Sequence, residues 1–277
     1  MPMITLNHIW GPRKIHFVGR GGRTGCPNDH SVVSQCNLVL PTSWQELTPS
    51  QLRYVFFLLS QNYAAEEVKT FCLCRFGGLQ VLERTADGFR VLYDNHPHLL
   101  SALQVAEQLP HLAWLDSLPL VPVRLPEIGR HKAVAADLTG VPFADYLVCD
   151  NLYTGYLQTQ RADLLREVAA ILYQAPDITL NAEEELAVFY WLASLKTHYQ
   201  RRFRYLFAPA DHAANLLADT QDTAQRLQTA MDNQIRALTK GDVTKEEQVL
   251  ATDTIRALTE LDAMAREYQE LQKEMHR

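Results

Sequence analysis

The chain has 277 residues, of which 47% are hydrophobic and 21% charged, a composition that suits a globular core and argues against long disorder. Its net charge of −6 argues against bulk attraction to nucleic acid or anionic lipid, and no apolar run approaches the roughly 20 residues of a membrane span. The opening MPMITLNHIWGPRK lacks the order of a secretory leader, and Cys26, Cys36, Cys72, Cys74 and Cys149 are odd in number and irregular in spacing, so a cytosolic protein with reduced thiols is expected.

Residues 1–37 carry Arg13, Lys14, Arg20 and Arg23 against Asp29 and include a glycine-rich run at 19–25, which reads as a basic arm. A mainly helical body is expected over 38–207. Thr48, Pro49 and Gln51 supply an N-cap, a first-turn proline and a capping-box partner for a helix with Leu52, Val55, Phe56, Leu59 and Tyr63 on one face. A second helix, with Val68, Phe71, Cys72 and Phe76 on its face, ends at Gly77-Gly78.

The period then changes. Two short apolar runs, 79–85 and 89–93, flank Ala86-Asp87-Gly88, and an Asp-Gly turn with positive φ predicts a β-hairpin. An extended piece such as Leu120–Leu125, which its prolines would confine to an edge, is one candidate to pair with the hairpin, while 99–109 reads as a helix and 111–118 as a helical turn or two.

Beyond Gly140 the pattern is helical. Pro142 fits a first turn, and Phe143, Tyr146, Leu147, Tyr153, Tyr156 and Leu157 make an aromatic stripe. A helix follows with Leu164, Leu165, Val168, Ile171 and Leu172, closed before Pro176. Asn181 and Glu184 cap a long helix running towards Arg204. Residues 208–277 read as an αα-hairpin turning at Lys240-Gly241-Asp242-Val243, its second arm recapped by Thr244 and Glu247. That arm carries Leu250, Thr254, Leu258, Leu261, Ala265 and Tyr268 in steps of three or four, a narrow seam. The fold class expected is therefore mainly α, with a small β element at 79–93 and a C-terminal αα-hairpin.

No motif for chemistry passes its spacing test. The run at 19–25 lacks the lysine and following helix of a phosphate loop. Cys26, His30 and Cys36, and separately Asp94, His96, His98 and His111, are loose sets without the four-ligand spacing of zinc, so no metal and no cofactor is implied. Glu183, Glu184 and Glu185 occupy a helix first turn, where negative charge is favoured anyway. Nucleophile elbows, zinc-protease helices and kinase signatures are missing, which leaves a dispersed active site as the remaining enzymatic reading.

Two candidate binding features remain. Lys196, Arg201, Arg202 and Arg204 alternate with aromatic residues and, with Arg20 and Arg23, offer a nucleic-acid contact; the alternative is simple complementation of a helix dipole. Leu258, Leu261, Tyr268 and Leu271 are the candidate partner interface, because the hairpin stripe needs a third surface to cover it; packing onto the body is the alternative.

The stretches LPTSWQELTPSQLRYVFFLL, VPFADYLVCDNLYTGYLQTQ and IRALTKGDVTKEEQVLATDTIRALTELDAMAREYQEL resemble uncharacterised proteins of bacteriophage and prophage structural gene clusters. The resemblance spans most of 38–277 and excludes the first 37 residues. It implies a non-enzymatic virion component or tail-assembly chaperone, in the host cytoplasm or the virion, whose partners are other protein chains, either copies of itself or phage structural proteins. No catalytic residue transfers with it. A nucleic-acid-binding protein using segments 13–23 and 196–204 is the alternative, and a membrane partner is not expected.

Overall fold

A computed structural model describes residues 38–208 and 223–275, so Arg20, Arg23, Cys26, His30 and Cys36 lie outside the described residues. The chain forms two compact units that divide between Leu118 and Pro119. That division falls inside the 38–207 segment expected as one body, and the terminal hairpin belongs to the second unit. The mainly α class with a small antiparallel sheet and C-terminal helices is what the structure shows.

In the first unit, helix α1 (Pro49–Ser60) begins with the expected capping box. Thr48 Oγ accepts from the Gln51 amide at 3.3 Å, and the Gln51 side chain accepts from the Thr48 amide at 2.9 Å. Leu52, Val55, Phe56 and Leu58 are buried on α1, as are Val68, Cys72, Leu73, Cys74 and Phe76 on α2 (Ala65–Phe76). Phe71, expected on the buried face, is instead exposed and meets the Tyr63 ring at 5.3 Å. Trp44 and Trp114 clasp edge to face at 5.5 Å, and their indole N–H groups donate to the carbonyls of Ser117 and Pro41.

Strands β1 (Gln80–Thr85), β2 (Gly88–Tyr93) and β3 (His96–Ser101) form an antiparallel meander. Two expectations need correction here. The third strand is β3 rather than 120–125, and the helix expected at 99–109 is shortened to α3 (Ala102–Gln108), followed by a 3-10 segment at Leu109–Asp116. The cause is local. Asp94 and Asn95, at φ 48° and 62°, make the double-left-handed turn that suits a two-residue hairpin, and Ser101 with Gln104 then builds a capping box. The first hairpin turns on Ala86 and Asp87, neither of which has positive φ, and Gly88 opens β2 at φ 154°.

The second unit opens with a small ribbon, β4 (Glu127–Ile128) and β5 (His131–Lys132). Helices α4 (Phe143–Thr159), α5 (Ala162–Leu172) and α6 (Ala182–Arg202) follow, the last capped by Asn181 and Glu184 as expected. Pro142 is the N-cap of α4 rather than a first-turn residue. The aromatic core links Phe143 to Tyr146, Tyr146 to Tyr199 and Tyr199 to Phe203 at centroid distances of 6.0, 5.7 and 5.5 Å. Buried polar tips are satisfied by the preceding loop: the Trp191 indole donates to the Ala136 carbonyl and the Tyr199 hydroxyl to that of Asp137.

Helix α7 (Thr223–Thr239) ends in a Schellman turn, with Lys240 left-handed at φ 54° and the Gly241 amide donating to the Arg236 carbonyl. The second arm is not continuous, which corrects the expected recapping by Thr244 and Glu247. The Asp242 carboxylate caps a short turn by accepting from the Thr244 amide and hydroxyl, α8 (Glu246–Leu250) follows, and the chain leaves the helix at 251–253 before α9 (Thr254–Met275).

Candidate functional site

The break before α9 fixes where the helix stands. The Thr252 carbonyl accepts from the Phe143 amide at 2.8 Å, and the Thr254 amide and hydroxyl donate to the Val141 carbonyl at 2.9 and 2.7 Å. Asp253 sits between them, accepting from the Gly140 amide at 2.5 Å and from the Arg256 amide at 3.0 Å. One carboxylate thus caps α9 and ties it to the loop ahead of α4. Farther along, Asp262 accepts from the amides of Tyr205 and Leu206 at 2.8 and 2.9 Å, anchoring the chain beyond α6 onto the middle of α9.

These anchors divide the proposed interface into two parts. Leu258 (0% exposed) and Leu261 (4%) belong to the core of the unit, with Thr254 and Ala257, so their assignment to a partner surface is corrected. Tyr268 (64%), Leu271 (59%) and Met275 (82%) are exposed. They continue the same stripe, since 254, 257, 261, 264, 268, 271 and 275 alternate steps of three and four. The half of the helix beyond Arg266 therefore carries a hydrophobic seam into solvent. Sequence reasoning missed Met264 and Met275 in this seam, although their heptad spacing was the available signal.

The border of the seam is charged on one side. Glu260, Glu267 and Glu274, seven residues apart, flank it and are exposed; Ala265 and Gln272 flank the other side. Gln272 donates to the Tyr268 hydroxyl at 2.6 Å, which holds that ring along the helix. Arg266 and Lys273 occupy the opposite face, where Arg266 pairs with Glu270 at 4.0 Å.

The basic cluster at the end of α6 is only partly available. Lys196 is paired with Asp150 at 2.5 Å and lies over the Tyr153 ring, so much of its charge is compensated internally. Arg201, Arg202 and Arg204 are exposed. The guanidinium of Arg204 stacks on Tyr205 at 5.1 Å, and that of Arg202 on Phe203 at 5.3 Å.

Of the histidine set, His96 and His98 share a face of β3 with ring centroids 6.5 Å apart, Asp94 is in the turn before them and His111 lies in the 3-10 segment. Among the described residues no group of three or more His, Cys, Asp or Glu is placed to hold a metal. Cys72, Cys74 and Cys149 are buried. Burial raises the Cys72 thiol to about 12 and the Cys74 thiol to about 11, and pushes Cys149 up as well, so none supplies a thiolate near neutral pH. Glu184 serves the α6 cap, and burial raises the Glu185 carboxyl.

A second apolar surface lies on the first unit, where Val81 and Leu82 of the outer strand β1 are about half exposed. The bulge between Val81 and Glu83 distorts that strand, making it a poor template for another β-strand. No described helix is long and apolar enough to cross a membrane. In comparison with known proteins, the chain matches no family model, no curated protein and no solved structure.

Proposed function

We propose that this chain is a non-enzymatic structural or assembly protein of a bacteriophage or prophage, a virion component or tail-assembly chaperone that works through helical protein contacts. The sequence resemblance supplies the setting. The observation that carries the mode of action is the exposed seam Tyr268, Leu271 and Met275 on a helix whose first half is locked into the fold. A contiguous apolar stripe with a polar border, held on a rigid element, is the form that protein-binding surfaces take.

The test is mass spectrometry of particles and assembly intermediates purified from cells that encode the protein, with either the full chain or a chain lacking 267–277. The full chain should be incorporated and the truncated one lost. Equal incorporation of both, or absence of the full chain from every particle and intermediate, would refute the proposal.

The exposure of Arg201, Arg202 and Arg204 favours a second reading, in which the end of α6 contacts nucleic acid. Changing all three to Gln should then abolish a salt-sensitive affinity for single-stranded DNA or RNA. A wild-type protein without such affinity at low salt would leave these residues a structural role.

A further inference from the structure

Resting on the reading of α9 as a contact helix, we infer that its partner is an amphipathic helix of a different protein, one that carries lysine or arginine along the border of its own apolar stripe. The charge pattern carries this. In a helix pair of heptad register, the residues flanking the seam face the flanking residues of the partner and set its identity and orientation. Here one flank is Glu260, Glu267 and Glu274, all exposed, and the other is Ala265 and Gln272.

A second copy fits this pattern poorly. Antiparallel self-pairing would set the glutamate flank against itself, bringing like charges together along the whole contact. Parallel self-pairing would set each glutamate against Ala265 or Gln272, with no attraction gained. A basic flank satisfies all three glutamates at once. Arg266 and Lys273 project from the opposite face and Arg266 is engaged with Glu270. Among the described residues Glu267 and Glu274 have no cation three or four residues away on α9, whereas Arg256 stands one turn before Glu260.

The partner stripe is short. The seam beyond Leu261 runs from Met264 to Met275, roughly three turns or about 18 Å. A contact of this size recognises by pattern rather than by area, so charge at the border should contribute a large part of the selectivity.

Two synthetic helical peptides test the inference. Both carry the same leucine and isoleucine seam over four turns; one has lysine at the flanking positions and the other glutamate. Fluorescence anisotropy with the full-length protein should show binding of the lysine peptide and at least tenfold weaker binding of the glutamate peptide. The Glu260→Gln, Glu267→Gln, Glu274→Gln variant should bind the lysine peptide about tenfold more weakly and with most of its salt dependence gone. Leu271→Ser should weaken binding of both, with the circular dichroism spectrum unchanged.

Equal binding of the two peptides, or a homodimer in sedimentation that Leu271→Ser dissociates, would overturn the basic-partner inference while leaving α9 as the contact element. Failure of both peptides to bind, with a monomer unaffected by Leu271→Ser, would overturn the contact reading itself.

Discussion

Replacing Gly88 with alanine should be among the most damaging single-methyl changes in the first unit. A Cβ built on Gly88 would lie 2.1 Å from the Leu100 carbonyl oxygen and 2.8 Å from the Ser101 Cα, both backbone atoms of β3. Carbon–oxygen contacts between strands normally sit near 3.3–3.6 Å, so β3 would have to retreat by about 1 Å. Strand β3 has little freedom to do so. It pairs with β2 from Gly88↔Ser101 to Tyr93↔His96, and the Ala102 amide behind it donates to the Asp87 carbonyl at 2.9 Å. The backbone at φ 154° is a second obstacle, since side-chain-bearing residues rarely adopt it. Strain of that kind costs about 1–3 kcal/mol, and each disturbed ladder hydrogen bond about 1 kcal/mol, which gives roughly 3 kcal/mol for Gly88→Ala and at least as much for Gly88→Val. Urea unfolding followed by tryptophan fluorescence reports on this unit through Trp44 and Trp114. The midpoint should fall by about 1–3 M. An unchanged midpoint for both variants would refute the close-approach argument.

Asp253→Ala removes the α9 cap and the acceptor of the Gly140 amide together, and should lower stability by about 2–3 kcal/mol, measured by chemical denaturation; a loss under about 0.5 kcal/mol would contradict the dual role. Lys240→Gly relieves a left-handed side-chain-bearing residue in the α7 Schellman turn and should raise stability by about 1 kcal/mol in the same assay, whereas a decrease would show that the lysine side chain compensates. The raised thiols of Cys72, Cys74 and Cys149 should stay unalkylated by iodoacetamide near neutral pH in the folded protein and react in concentrated urea, as read by peptide mass mapping. Rapid labelling of any of the three in native buffer would contradict their burial.

Much of the helical framework was legible because its signals are local. Thr48 with Gln51 and Asn181 with Glu184 each act within one turn, and both capping boxes stand where the residues predict them. The Asp94-Asn95 turn is equally local, and its two left-handed residues place β3 where residues 99–101 otherwise read as the start of a helix. The interruption before α9 was harder to foresee. The chain leaves helical geometry at 251–253, and Thr252, Asp253 and the first residue of α9, Thr254, satisfy Phe143, Gly140 and Val141, more than a hundred residues away in the chain. Periodicity also cannot separate Leu261 from Leu271. Both obey the same heptad, and what buries one and exposes the other is the anchoring of the first half of α9 at Thr254 and Asp262. The basic cluster divides for the same reason, since the pairing of Lys196 with Asp150 spans 46 residues.

The central claim is that α9 is core up to Leu261 and an external contact beyond Arg266. Its most direct test is a comparison of the full chain with a chain ending at Arg266, by urea unfolding and by binding of the lysine-flanked helical peptide. The shortened protein should unfold within about 0.5 kcal/mol of the full chain, as expected for removal of exposed residues, and should no longer bind the peptide. A loss of several kcal/mol on truncation would place Tyr268, Leu271 and Met275 in the fold rather than at an interface, and would contradict the account.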